Sequence, residues 1–289
     1  MDNNLLPTKS INYWEDSWNR LRQNKSAMIG LCFLVALVIF SIVGPWLSDV
    51  TYYETHLSLK NTPPGKTFLF GTDELGRSMY VRCCWGARIS LFIGISAALI
   101  DMIIGVFYGG IAGLMGGKVN EFMMRIADAL NSLPHLLIVI LLTVIMNQGI
   151  LSIIIAMTLT GWINMARITR AHVISLKEQE FILAAKSMGA SKTRLLLRHL
   201  IPNCFGSIIT TVTLTIPHAI FTEAFLSFLG LGVQAPFASW GTMASDGLPA
   251  MSFYPWRLFL PAIFISLTML AFNVLGDGMR DAFDPRLRK

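Results

Sequence analysis

Apolar runs long enough to cross a membrane recur along this chain, and they constrain its fold more than any other feature. Residues 27–47 carry no charged side chain at all. A bilayer core about 30 Å thick takes roughly 20 apolar residues as a helix, and lipid-exposed backbone that is neither helical nor in a closed barrel is not tolerated there. Further runs cover residues 88–114, a stretch beginning at 116 and passing Pro134, roughly 150–168, 203–229 and 257–275. Six spans are therefore expected, in an all-α, polytopic membrane protein. Composition agrees: 54% of the 289 residues are apolar and 14% charged, against roughly a quarter charged in soluble domains.

Within the spans, Gly105, Gly109, Gly113 and Gly117 recur every fourth residue, preceded by Gly86, Ser90, Gly94 and Ala98. Such small-residue stripes let helices approach to backbone contact. Pro134 is expected to kink the third span and Pro217 to interrupt the fifth. Residues 234–256 read as a loop. The chain divides into 1–47 (an N-terminal segment and the first span), a loop at 48–87, and a core at 88–289 that contains a long insert at 178–202. Trp14 and Trp18, spaced i, i+4 within residues 11–23, mark either a short interfacial helix or a disordered tail. The N-terminus does not read as a cleavable signal, because polar and mixed residues precede the first run and that run is of spanning length.

Net charge is +6. With both termini cytoplasmic, seventeen of the 23 Lys and Arg fall on the inner side and six on the outer, as the positive-inside rule requires. The basic residues cluster at span ends and no soluble basic domain exists, which excludes a nucleic-acid partner. The partner on all sides is membrane lipid. The four cysteines lack C-x-x-C spacing.

The largest soluble-looking insert after the second span is residues 180–202, EFILAAKSMGASKTRLLLRHLIP. Residues 180–188 read as a short helix broken by Gly189. Ser191 caps a second short helix over 192–200, and Pro202 suits the first turn of the next long one. Ala184, Ala185 and Gly189 leave a shallow patch for close approach by another protein. Lys186, Lys192, Arg194 and Arg198 make it basic. On the hypothesised cytoplasmic side this hairpin would be a docking element.

No catalytic constellation is present. There is no G-x-x-x-x-G-K-[ST] phosphate loop, and the five histidines have no metal-ligand spacing, so no metal, bound cofactor or enzyme activity is expected of this chain. Two acids lie in apolar runs: Asp101 and Glu223. A carboxylate there costs roughly 2.5–3.5 kcal/mol on insertion scales and should face protein or water. Asp101 is either a substrate contact or half of a buried polar pair, and both acids are candidate pathway residues.

Five segments resemble one family. Ala184, Ala185, Gly189, Leu200 and Pro202 fit the E-A-A, three residues, G, nine residues, I-x-L-P coupling loop of ABC importer permeases. Leu183 stands at the glutamate position, with Glu180 three residues earlier as in the peptide-permease branch, and His199 and Ile201 depart from the pattern. Gly71, Thr72, Asp73, Gly76, Arg77 and Arg82 fit that branch's G-T-D-x-x-G-R-D-x-x-S-R segment, with Ser78 and Val81 replacing Asp and Ser. A hydrogen-bonded knot is the favoured role for this segment over substrate contact. EAFLSFLGLG (residues 223–232) and GDGMRDAFDPR (276–286) match two more motifs, the second through Gly276, Asp277, Gly278, Arg280, Asp281, Asp284, Pro285 and Arg286. Met124, Arg125, Asp128 and Pro134 resemble a fifth, shorter one.

The resemblance, nearly chain-long, is to permease subunits of the oligopeptide, dipeptide and nickel branch, the second or C type in particular. It implies the type I importer permease fold in a bacterial inner membrane. It also implies a second permease subunit, two cytoplasmic ATPase subunits that bind ATP and Mg, an extracytoplasmic substrate-binding protein, and an oligopeptide or dipeptide cargo, with nickel chelates or glutathione as alternatives. Glu180, Ala184, Ala185 and Gly189 would be the main ATPase contacts. The rival class is an ion-gradient-driven secondary transporter or channel working through Asp101 and Glu223, although no inverted repeat of broken helices is visible.

Overall fold

The computed structural model describes residues 13–283. Ile11 and Asn12 of the N-terminal segment, and Asp284, Pro285 and Arg286 of the last motif, lie outside the described residues. Among the described residues the fold is helical throughout, with no strand and one isolated bridge between Thr72 and Ser78. Five helices are long and apolar enough to cross a membrane, or six if one bent pair counts as a single span.

Helix α1 (Tyr13–Gln23) precedes α2 (Lys25–Val43), whose start is capped by Asn24, its side chain accepting from the Ala27 N–H at 3.1 Å. A 3₁₀ turn, Gly44–Leu47, closes that span. Helix α1 packs on the end of the chain: Trp14 meets Phe205 and Phe283 edge-on, with ring centres 5.0 and 6.0 Å apart.

The second span differs from expectation. Helix α3 runs Met79–Met115, 37 residues, and so starts nine residues before Arg88. At 1.5 Å per residue it is about 55 Å long, more than a bilayer core needs. The charges that made its first turns read as loop are satisfied from elsewhere. Arg88 Nε donates to the Ser41 carbonyl at 2.5 Å and Nη2 to the Ile42 carbonyl at 2.9 Å, completing the bare C-terminus of α2. Arg82 is paired by the preceding loop.

Helices α4 (Gly117–Asn131) and α5 (His135–Ile145) meet at a 76° bend. Pro134 thus breaks the third span outright instead of kinking it. Helix α6 (Ile150–Leu176) continues a further eight residues past Ile168, so Arg167 and Arg170 lie inside it. Its contact with α3 is backbone-on-backbone: a Cβ at Gly105 would meet the Trp162 carbonyl at 2.7 Å, one at Gly109 would collide with that of Ala166, and one at Gly113 would meet that of Arg170 at 3.0 Å. The glycine stripe is therefore a packing surface, except for Gly117, which nothing approaches.

Residues 180–202 form α7 (Glu180–Ser187), α8 (Lys192–Arg194), a π-helical turn Leu195–Leu200 and α9 (Ile201–Asn203). Pro202 lacks an N–H, and in a regular α-helix its ring would press on the carbonyl of Arg198; the wider π turn just upstream relieves both. Helix α10 (Phe205–Phe228) passes through Pro217 without interruption, since neighbouring helices and side chains re-satisfy the freed groups in a membrane span. The stretch expected as a loop contains α11 (Trp240–Gly247), fixed by a reciprocal cap: Thr242 N–H to Ser239 Oγ at 3.2 Å and Ser239 N–H to Thr242 Oγ1 at 2.9 Å. Finally α12 (Trp256–Phe283) outruns the expected end at 275, so Gly276, Asp277, Gly278 and Arg280 are helical. Gly276 and Gly278 are buried against Leu214 and Ala27, while Asp277 and Arg280 lie on the surface.

Candidate functional site

Three regions carry the sequence-predicted residues. The first is the hairpin of α7 to α9. Gly189 has φ +83°, where a Cβ is strained, and nothing lies within 4 Å of its Cβ position. Ser191 Oγ accepts from the Arg194 N–H at 3.3 Å, as its capping position predicts. The two arms close on Ile182, Ala185, Leu195, Leu196 and Leu200, which join Val106 of α3 and Met165 and Val173 of α6 in one buried cluster. Ala185 and Leu200 therefore face inward, so Ala185, expected as a docking contact, is a packing residue. The outward face holds Glu180, Phe181, Leu183, Ala184, Met188 and Gly189, with Met188 82% exposed. The hairpin thus presents an exposed apolar knob on a buried base.

The second region is the loop before α3. Thr72 Oγ1 accepts from the Thr62 N–H at 2.8 Å and donates to the Leu59 carbonyl at 2.5 Å. Asp73 Oδ1 accepts from the backbone N–H of Leu75 and of Arg77, each at 2.9 Å, and Oδ2 pairs with Arg77 Nε at 2.6 Å. Gly76, at φ +73°, passes so close to the His56 carbonyl that a Cβ would collide, and Gly71 packs on Thr62 and the Trp256 ring. These five residues form the expected hydrogen-bonded knot. It is tied to the far helices by ions. Arg82 Nη1 lies 3.4 Å from Asp73, close enough for charge pairing but without hydrogen-bond geometry, and Nη2 lies 3.7 Å from Asp246 of α11. Arg257 of α12 donates to Glu74 at 2.8 Å and to the Asp246 carbonyl at 3.0 Å. Burial holds the Asp246 carboxyl above its ordinary value, with Arg82 pulling the other way.

The third region is a cavity of about 590 Å³ between α3, the α4–α5 break, α6 and α10. That is within the range of roughly 300–1,000 Å³ usual for ligand sites. Pro134, by breaking the span, creates one wall: Asn131, Leu133 and His135 line it from the bend. Asp101 lines it from α3, Thr160, Gly161 and Asn164 from α6, and Thr211, Thr215 and His218 from α10. His135 Nδ1 shares a hydrogen bond with Thr160 Oγ1 at 2.6 Å. The polar residues on α10 are spaced i, i+4, i+7, one helical face; that spacing is the sequence signal for them, fainter than the charge of Asp101.

Glu223 does not line this cavity. It is fully buried where α3, α10 and α11 meet: Oε2 accepts from Ser90 Oγ at 3.0 Å, Oε1 from Ser227 Oγ at 2.7 Å, and Ser227 Oγ lies 3.2 Å from Ser239 Oγ. The Trp240 indole N–H donates to the Cys83 carbonyl at 3.1 Å beside it. Of the two candidate pathway acids, Asp101 lines this cavity and Glu223 does not. Glu223 fastens helices together, because Ser90 of α3 and Ser227 of its own helix both donate to it and Ser227 reaches on to Ser239 at the start of α11. Among the described residues no three His, Cys, Asp or Glu side chains are placed to hold a metal ion.

Spans, a broken helix lining a polar cavity, and an exposed hairpin rigidly joined to the cavity's own helices define a multi-pass membrane transport component. The chain belongs to the family of binding-protein-dependent transport system inner membrane components, whose model matches residues 105–289. A second model, the N-terminal TM domain of oligopeptide transport permease C, matches residues 12–64. The chain is 56% identical over 288 residues to the oligopeptide transport system permease protein OppC of Bacillus subtilis, covering 100% of this chain and 94% of that protein. It is 55% identical over 281 residues to the dipeptide transport system permease protein DppC of the same organism, covering 97% and 88%. To OppC of Escherichia coli K12 it is 41% identical over 285 residues, covering 98% and 94%. The chain is thus a permease component of the inner membrane, in a family of transport permeases and not of enzymes.

Proposed function

We propose that this chain is the C-type permease subunit of an ATP-driven importer of oligopeptides or dipeptides. It pairs with a second permease subunit across the open side of the cavity, receives cargo from an extracytoplasmic binding protein, and is driven by two cytoplasmic ATPase subunits that bind ATP and Mg. Both termini are cytoplasmic in this reading, on the strength of the Lys and Arg distribution. The hairpin of α7 to α9 then faces the ATPases, and Glu180, Phe181, Ala184, Met188 and Gly189 form the docking face.

The observation that carries the mechanism is the continuity of the hairpin's core with α3 and α6. Leu195 and Leu196 pack with Val106 and Met165, on the two helices that hold Asp101 and Gly161 at the cavity wall. A push on the knob moves that helix pair as one body, because its glycine-mediated contact leaves no slack to absorb the motion. Cargo identity rests on the relatives, whose names specify oligopeptide and dipeptide transport.

The test is Gly189→Trp in the assembled transporter. Nothing lies within 4 Å of a Cβ built there and the position is exposed, so the variant should insert at normal level, carrying only about 1–2 kcal/mol of backbone strain. ATP-dependent peptide uptake should be lost, because the indole blocks docking. Undiminished uptake, or uptake by the permease pair without ATPase subunits, overturns the reading.

A further inference from the structure

Asp101 is 6% exposed, lines the cavity, and has one oxygen, Oδ1, buried with no hydrogen-bond partner. On the facing helix, a Cβ at Gly161 would collide with the carboxylate, so glycine alone leaves it a seat. Of the other polar groups around the cavity, His135 is bonded to Thr160, and the Thr211 and Thr215 hydroxyls each donate to a carbonyl of their own helix at 2.8 Å. No Lys or Arg lines the cavity. A carboxylate kept in a span without a partner is costly, and the cost is offset when a counter-ion arrives with the cargo. An ammonium group brings opposite charge and three N–H donors together.

We infer that Asp101 is the receptor, inside the translocation cavity, for the ammonium group of a passing peptide, with Gly161 as the seat that positions its carboxylate. This rests on the peptide-importer reading above. The ammonium is either the peptide's N-terminal amine or a lysine side chain, and both present the same chemistry to Asp101.

The experiment measures initial uptake of trialanine, Ala-Lys-Ala and Ala-Glu-Ala by the assembled transporter with its binding protein, for wild type, Asp101→Asn, Asp101→Glu and Gly161→Ala. Asn keeps the shape and loses the charge, so transport should fall about tenfold, the order expected for a lost charge-assisted contact. Glu should restore much of it, and Gly161→Ala, which displaces the carboxylate, should mimic Asn. A fall shared by all three peptides assigns the N-terminal amine, and a fall confined to Ala-Lys-Ala assigns the side chain; both support the inference. Unchanged rates in Asp101→Asn, or a fall that Asp101→Glu does not restore at equal membrane level, overturn it while leaving the peptide reading intact. Failure of the wild type to carry any of the three overturns the peptide reading itself, and this inference with it.

Discussion

Asp101 and Glu223 are the same chemistry in the same kind of place, and the fold treats them in opposite ways. Both are carboxylic acids set in membrane-spanning helices and both are buried. Glu223 is surrounded by donors supplied from α3 and its own helix, with Ser239 of α11 one step further out. Asp101 has a glycine opposite it and an oxygen without a partner. A buried polar group that is fully satisfied specifies structure, whereas one left open is available to something that is not part of the fold. The first acid is a fastener at the end of the molecule where the loop knot and α11 gather, and the second lines a cavity on the helices that carry the hairpin.

The sharpest way to break this comparison is to truncate Glu223. Glu223→Ala strands the hydroxyls of Ser90 and Ser227 and leaves a void at a fully buried site, a loss of about 3 kcal/mol. The unfolding midpoint of the detergent-purified protein should drop by several degrees and the amount in the membrane should fall. An unchanged midpoint would show that Glu223 does not hold α3, α10 and α11 together.

Asp101→Asn should behave in the reverse sense. It replaces an unpartnered carboxylate with a neutral amide of the same shape, so the same melting measurement should show a midpoint level with wild type or above it. A clear drop would mean that Asp101 has a structural partner after all, and the distinction between the two acids would collapse.

Sequence could not make that distinction, for a definite reason. Glu223 has a donor nearby in Ser227, but the one that ties it to another helix is Ser90, 133 positions away, and the seat for Asp101 is Gly161 on another helix; nothing local marks those long-range partners. The same limit hid the true start of α3, because Arg82 reads as a loop residue unless Asp73 is brought to it. What was legible was local. Gly189, Ser191 and Pro202 punctuate the hairpin through backbone geometry and capping that act within a few residues. Gly71 to Arg77 makes its knot from its own backbone and from residues 56–62, ten to twenty positions upstream. The every-fourth glycines declared a close helix contact, though not with which helix. The cap at Ser239 and Thr242 also lies within four residues, but threonine in place of the usual Glu or Gln weakened the signal that a helix begins there.

The smallest expected effect gives the finest test of Glu223 as a fastener. Ser227 sits on the same helix, donates to Glu223 at 2.7 Å and lies 3.2 Å from Ser239. Ser227→Ala removes one donor and leaves Ser90 in place, so the loss should be about 1 kcal/mol, one net hydrogen bond. If the cluster acts only in holding helices together, the purified variant should melt slightly earlier, and uptake per assembled transporter should stay at the wild-type value for every peptide tried. A change in the relative rates for charged and neutral peptides would place this cluster in contact with cargo. The two acids would then be two parts of one pathway, and the contrast between a satisfied carboxyl and an open one would no longer separate structure from transport.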